Sequence, residues 1–226
     1  YVRDFRNANR PRALSLPPTR GRKLRDAIHR LIEDIRSAIP AVFESEDHQS
    51  RREAIDEEYQ QRQERALVAL REQAEAKNVA LMRTPMGFAL APMQDGKVLR
   101  PEAFERLPDA ERARIRQEIE ELQESLEGML RQVPRWEKER RDRIRALNEE
   151  MTALAVGHSI DEVKAEFLDL PQVIEHVEAV RADLIQNVHN MIGAEHASQQ
   201  TQGESAEPIE LTGFRRYEAN LLVGAD

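Results

Sequence analysis

The sequence predicts an all-α fold, an elongated antiparallel bundle of long coiled-coil-like helices. A small β-hairpin element is expected at its tip, and short strands at its two ends. Three observations predict this fold. Charged residues make up 34% of the 226 residues and aromatic residues only 4%, which favours long, surface-rich helices with narrow cores. Turn dipeptides cluster between residues 79 and 99. An apolar seam also recurs in steps of four and three, as in a coiled coil: Ile115, Ile119, Leu122, Leu126, Met129 and Val133.

The sequence of residues 1–20 is typical of an extended segment. Tyr1 to Phe5 has the character of a short strand, and the Pro- and Arg-rich residues that follow are typical of a loop. From Gly21 the pattern becomes helical, and we expect Pro40 to break this helix or to open the next one. The apolar face of the helix is formed by Leu24, Ile28, Leu31, Ile32, Ile35 and Ile39.

The next helix is predicted from about Ala41 to Lys77, and its apolar positions are sparse. Because residues 49–58 are almost all charged or polar, one narrow seam must hold this helix at intervals. Asn78 is expected to end it.

A small β element is predicted over about 79–99. Residues 79–84 and 88–93 have strand character, and residues 97–99 form a third, shorter candidate. The dipeptide Asp95-Gly96 is a strong hairpin signal. We expect this element to close the shared end of the two long helices that flank it.

The second half of the chain predicts further helices. The seam helix starts near Pro108 and is expected to end near Gln132, with a new helix after Pro134 and a last one after Pro171. The helical domain is thus predicted to span 21–193. Residues 194–212 are rich in Gln, Ser, Glu and Ala and predict a flexible linker. Residues 213–226 alternate and predict a terminal strand.

The composition also bears on function. The net charge of −8 argues against a nucleic-acid binder, and no apolar run is long enough to cross a membrane. Cysteine is absent, so thiolate metal sites and disulfides are excluded. We therefore expect a cytoplasmic protein that binds neither nucleic acid nor a membrane.

Residues for catalysis are not evident. There is no phosphate-binding loop, no serine in a nucleophile-elbow context and no paired-histidine metal motif. The six histidines are scattered and are expected at surface or partly buried positions rather than as ligands. We expect neither a cofactor nor catalysis within this chain.

Flexible apolar side chains concentrate in the β element, where the candidate contact residues for a substrate or partner are Met82, Met86, Phe88, Leu90 and Met93. Methionine-rich apolar surfaces suit contact with varied partners. The alternative is that these residues form the small core that closes the tip. Trp136, the single tryptophan, is expected to anchor its helix against a neighbour.

Seven segments together resemble a bacterial family of Lon-like, AAA-type ATP-dependent serine proteases. They are Tyr1-Val2-x-x-Phe5; Arg10-Pro11-Arg12-Ala13-Leu14-x-Leu16-Pro17 with Gly21; Phe43-Glu44-Ser45-Glu46; Thr84-Pro85-x-Gly87-Phe88; Val133-Pro134-Arg135-Trp136-Glu137-Lys138-Glu139 and Gly157-His158; and Arg216-Tyr217-x-x-Asn220-x-x-Val223.

The resemblance implies that this region is a helical insertion in the ATPase domain of a ring-forming protease, with both chain ends as strands of the ATPase sheet. The parent protein is then expected to bind ATP and magnesium and to cleave unfolded or damaged proteins with a serine–lysine pair. The glycine-rich loop and that pair are not in this chain.

Three functions remain open from the sequence. The insertion engages or gates protein substrates; or it is a structural coiled-coil module for ring assembly or partner binding; or, least supported, the chain is an enzyme complete in itself.

Overall fold

The computed structural model describes residues 1–5, 10–85, 87–199 and 212–221. The helices are α1 Arg20–Phe43, α2 Glu46–Ala76, α3 Pro101–Glu105, α4 Asp109–Glu166, α5 Pro171–Gln199 and a 3-10 helix, Thr212–Tyr217. The strands are β1 Val2–Arg3, β2 Pro11–Arg12, β3 Val79–Thr84, β4 Gly87–Gln94 and β5 Lys97–Val98. The fold is mostly α-helical with small antiparallel β elements, which confirms the predicted fold class.

The chain divides into two compact units. Unit 1 consists of Tyr1–Arg52 and Ile144–Asp226, and unit 2 consists of Glu53–Arg143. Helices α2 and α4 each contribute a segment to both units.

The core of unit 1 lies between α1, the last third of α4, and α5. All six apolar residues predicted for the first helix are buried in it, which confirms that helix face. The other buried residues recur at helical spacing on α4 and α5: Val156, Ile160, Val163, Phe167, Val173, Val177, Val180, Leu184 and Val188.

A buried histidine fixes the turn from α1 to α2. The His48 ring is 4% exposed, its Nε2 lies 2.9 Å from Oδ1 of Asn148, and its Nδ1 lies 3.1 Å from the carbonyl oxygen of Phe43. His176 is also buried. These two histidines lie deeper than the sequence predicted, because each has a specific aromatic neighbour: Phe43 packs edge-on against His48, and Phe5 stacks on His176.

The predicted C-terminal strand is wrong where the structure describes it, since Thr212–Tyr217 is a 3-10 helix. Phe214 and Tyr217 are both 2% exposed and lie three residues apart. That spacing matches the three residues per turn of a 3-10 helix, whereas a strand would point the two rings to opposite faces. Residues 222–226 lie outside the described part of the chain.

The N-terminal strand is confirmed for Val2–Arg3, but its partner lies within this chain: β1 pairs antiparallel with β2. The chain ends also meet. The amino group of Tyr1 donates to the carbonyl of Asn220 over 2.7 Å, and the amide of Asn220 donates to the carbonyl of Tyr1 over 2.9 Å. Reciprocal bonds of this kind are those of a hydrogen-bonded pair in an antiparallel ladder.

One carboxylate of α5 holds the 3-10 helix. The Tyr217 hydroxyl donates to Oδ2 of Asp183 over 2.6 Å, and Arg216 forms an ion pair with the same oxygen at 2.5 Å. Burial, together with the bond to Asp183, holds the pKa of Tyr217 well above its usual value. Tyr217 therefore stays a neutral donor, and Asp183 ties the C-terminal segment to the core.

Two prolines predicted to interrupt helices do not. α1 continues through Pro40 to Phe43, and α4 continues through Pro134, so the two helices predicted on either side of Pro134 are one. Proline keeps a helical φ and costs mainly a backbone hydrogen bond. Pro134 is exposed, so water can reach the carbonyl that it leaves unpaired, while Leu126 and Trp136 are buried on either side.

Helix α5 continues to Gln199, so the first six residues of the predicted linker, 194–199, are helical. Residues 194–199 lack apolar side chains other than alanine, but alanine, glutamate and glutamine favour helix, and an existing helix extends at little cost. The remainder of the predicted linker, residues 200–211, lies outside the described residues.

Within unit 2, α2 and α4 are joined by a narrow seam. Leu70 and Ala74 of α2 are buried with Leu122 and Leu126 of α4, two residues of the predicted coiled-coil seam. Trp136 is 8% exposed with the guanidinium of Arg62 5.2 Å from its ring centroid, so the predicted role as an anchor is confirmed.

Ion pairs between α2 and α4 replace apolar contacts where the seam is thin. They are Arg62–Glu139 at 3.2 Å, Arg140–Asp56 at 2.7 Å and Arg143–Glu58 at 2.7 Å. Each is largely exposed, so each contributes less than about 1 kcal/mol. These ion pairs therefore help to specify that α2 pairs with α4, and they add little to the free energy of unfolding.

Candidate functional site

The predicted β element is a three-stranded antiparallel sheet, called here the β unit (β3, β4 and β5). α2 ends at Ala76 and Asn78 takes a left-handed φ of 54°, which redirects the chain into β3. Asp95 and Gly96, with φ of 51° and 75°, form the β4–β5 turn. Positive φ at both central residues is the type I′ geometry that matches strand twist, so the Asp-Gly signal predicted this turn correctly.

The strand register gives the β unit two different faces. Leu81 is directly opposite Leu90, and Arg83 is opposite Phe88. Because side chains alternate along a strand, Leu81, Phe88 and Leu90 lie on one face, and all three pack against the seam of α2 and α4. We call this the inner face.

The opposite face, called here the outer face, carries Ala80, Met82, Ala89, Ala91, Met93 and Val98, with Thr84 and Gly87 at one end. Two of its side chains are substantially exposed, Met82 at 37% and Val98 at 45%. Met82 is opposite Ala89, and Met93 is opposite Val98. The outer face is thus apolar, with long flexible side chains beside alanines.

The five predicted contact residues therefore do not form one surface. Phe88 and Leu90 belong to the small core, as the alternative interpretation expected, whereas Met82 and Met93 lie on the outer face. Met86 lies outside the described residues. Side chains alternate between the two faces along β3 and β4. This alternation could have separated the inner-face residues from the outer-face residues if the strand register had been known.

A cleft of about 270 Å³ lies where the β4–β5 turn meets the start of α4. Its walls include Lys77, Met93, Leu99, Leu107, Ile115 and Glu118. Sequence reasoning missed it, because its walls come from five separate stretches of the sequence that only the folded chain brings together.

The β4–β5 turn offers a test of the conformation on which the β unit depends. Gly96→Ala is expected to destabilise unit 2 by about 1 kcal/mol, because an alanine at a φ of 75° is strained. Urea denaturation followed by the fluorescence of Trp136, which lies in unit 2, measures this change.

The matched control is Gly128→Ala on α4, where an added Cβ meets no atom within 4 Å. It is expected to stabilise unit 2 by about 0.5–1 kcal/mol through helix propensity. A shift of the same sign for both variants would contradict the turn geometry.

Within residues 1–5, 10–85, 87–199 and 212–221, no three His, Cys, Asp or Glu side chains are placed to hold a metal ion. No helix of the described chain has both the length and the apolar content that a membrane span needs.

Neither curated proteins nor solved structures provide a match to the chain. One protein-family model does: residues 1–31 match the family described as the Lon-like LonC helical domain. This stretch contains β1, β2 and the first half of α1. The segment that leads into the helical body is thus similar to the helical domain of Lon-like proteases.

Proposed function

We propose that this chain is the non-catalytic helical region of a Lon-like ATP-dependent serine protease and that its β unit engages protein substrates. The outer face of the β unit carries the proposal, because Met82, Met93 and Val98 offer flexible apolar contacts on a fixed sheet. Such side chains adapt to many partner shapes, as a protein that handles varied unfolded chains requires.

Two further observations support the family part of the proposal. Residues 1–31 match the helical domain of Lon-like proteases. The reciprocal backbone bonds between Tyr1 and Asn220 show that two segments far apart in the sequence pair, which suits the proposed origin of both as strands of one sheet. In the parent protein, ATP and magnesium bind outside this chain, the subunits form a homo-oligomeric ring, and unfolded or damaged proteins are degraded in the cytoplasm.

Fluorescence anisotropy with a labelled, reduced and carboxymethylated lactalbumin tests substrate engagement. The full chain is expected to bind this unfolded protein, and the double variant Met82→Ser, Val98→Ser is expected to bind about tenfold more weakly, because the partner loses two apolar contacts. Phe88 and Leu90 are left unchanged, since both pack inward and their loss would disturb the core.

The control variant is Val68→Ser, which removes an exposed valine of α2 (40% exposed). It is expected to bind as the unaltered chain does. If the double variant and the control bind equally well, the outer face does not engage substrate.

A structural role is the second candidate, favoured by exposed leucines away from the β unit. Leu154 and Leu168 are 67% and 75% exposed in unit 1, and Leu130 is 42% exposed in unit 2. Sedimentation distinguishes this role: a concentration-dependent oligomer that Leu154→Ser or Leu168→Ser disperses would favour ring assembly through these residues.

A further inference from the structure

The cleft of the β unit is small, and its lining combines apolar side chains with polar and charged ones. Met93, Leu99, Leu107 and Ile115 contribute to its lining, and its volume is about 270 Å³. That volume lies just below the usual range for small-molecule pockets, so it suits one large side chain rather than a whole ligand. The cleft is partly open to solvent.

The cleft also has spare negative charge. Oε1 of Glu118 accepts from Nε of Arg114 over 3.1 Å, but Oε2 of Glu118 is buried and has no hydrogen-bond partner. Leaving such an oxygen unpaired costs free energy, which a donor from a bound molecule would recover.

The cations of the cleft do not neutralise its other carboxylates. Lys77 is paired with Glu121, and Arg114 is paired with Glu118. Asp95 and Glu111 line the same cleft, and in the described part of the chain no Lys or Arg forms an ion pair with either. Asp95 and Glu111 are therefore carboxylates of the cleft that have no paired cation among the described residues.

We propose that the cleft binds an extended polypeptide segment in which a large apolar residue is followed by lysine or arginine. The apolar side chain packs against the apolar part of the lining, which Met93, Leu99, Leu107 and Ile115 form, and the cation reaches the carboxylates Glu118, Asp95 and Glu111. This inference rests on the proposed substrate-engaging function. It extends that function by naming the chemistry of the segment that is selected.

A polypeptide fits better than a free small molecule because the cleft adjoins the outer face. Met93 belongs to the outer face and also lines the cleft. A chain that lies on the outer face can thus place a side chain in the cleft. Electrostatic attraction to the carboxylates then selects basic over acidic segments.

Three capped, fluorescein-labelled decapeptides flanked by Gly-Ser test the inference by anisotropy on the full 226-residue chain. Their central residues alternate leucine with lysine, leucine with glutamate, or serine with lysine. The leucine–lysine peptide is expected to bind at least about tenfold more tightly than either of the others. Raising the salt concentration is expected to weaken its binding and to leave the leucine–glutamate peptide unaffected.

Glu118→Gln keeps the shape of the side chain and removes its charge. It is expected to weaken the leucine–lysine peptide about fivefold to tenfold, because a charged hydrogen bond becomes a neutral one. The matched control is Glu120→Gln, an exposed position on the same helix that does not line the cleft. Equal binding by the two variants, or equal binding of the three peptides, would overturn the proposal.

Binding of the unfolded lactalbumin, measured in parallel, separates the two proposals. If the full chain binds this protein through Met82 and Val98 while the three peptides bind alike, the cleft inference fails and the outer face stands. If the leucine–lysine peptide binds selectively and the unfolded protein does not bind, the cleft inference stands and engagement of unfolded protein by the outer face fails.

Discussion

Tyr217→Ala is expected to destabilise unit 1 by about 3–5 kcal/mol, because it deletes a large, almost fully buried ring. The ring packs near Phe5 and Phe214, with centroids 5.9 Å and 6.2 Å away. Its loss also removes a donor to Asp183, whose carboxylate holds the 3-10 helix. Urea denaturation followed by far-UV circular dichroism measures the change in the free energy of unfolding.

Tyr217→Phe separates the ring from the hydroxyl. Because Arg216 still pairs with Asp183, this variant is expected to lose only about 1–2 kcal/mol. Glu218→Ala, at an exposed neighbouring position, is expected to change stability by less than about 0.5 kcal/mol. Equal stability of Tyr217→Ala and Glu218→Ala would show that the 3-10 helix is not docked on α5.

The second large effect is a loss of stability in acid that depends on His176. Burial lowers the pKa of His176 to about 4 from its usual 6.5, and the positive charges of Arg12 and the amino terminus add to this effect. The ring is 2% exposed, its Nε2 has no hydrogen-bond partner, and Phe5 stacks on it at 5.9 Å. The folded chain therefore keeps this imidazole neutral.

The direction of the pH dependence follows from proton binding. Between about pH 6.5 and 4 the unfolded chain binds a proton at His176 and the folded chain does not, so stability falls as the pH is lowered through this window. A shift of this size corresponds to a loss of about 3 kcal/mol. The loss is complete near pH 4, and above about pH 7 this residue contributes no further pH dependence.

Carboxylates also titrate in acid, so the contribution of His176 is obtained by comparing the unaltered chain with a variant that lacks this imidazole. The quantity compared is the change in the free energy of unfolding with pH. His176→Phe keeps a ring beside Phe5 and cannot bind a proton, so it is expected to be about 3 kcal/mol less sensitive to acid than the unaltered chain. His158→Gln, at a position whose side chain is 86% exposed, is the control and is expected to follow the unaltered chain. Parallel stability curves for His176→Phe and the unaltered chain between pH 7 and 4 would contradict the assignment.

Periodicity predicted the elements in which one face is buried. The six apolar residues of α1 and the seam residues Leu122 and Leu126 lie in the cores as the pattern indicated. Local turn chemistry was equally informative, since Asp95 and Gly96 form a turn that few other dipeptides can adopt. In both cases the signal lies within a few residues of the position that it predicts.

Prediction failed where distant residues decide the conformation. Pro40 and Pro134 locally favour a helix end, but packing on both sides keeps each helix continuous. The sequence from Phe214 to Tyr217 predicts a strand when it is taken alone. Its contacts with Asp183 and the core of unit 1 favour a 3-10 helix instead. The candidate contact residues were divided between two faces because strand register is a property of the paired strands and not of either strand alone.

By itself the sequence determined the helical class, the place of the β unit and the similarity of residues 1–31 to the Lon-like LonC helical domain, because these depend on periodicity, turn dipeptides and short motifs. Only the tertiary structure decided which apolar residues of the β unit are free to meet a partner, and only folding assembled the cleft beside Glu118. The physical reason is that burial and charge pairing depend on which segments meet in space. Lys77 and Glu118 are 41 residues apart in the chain and line one cleft.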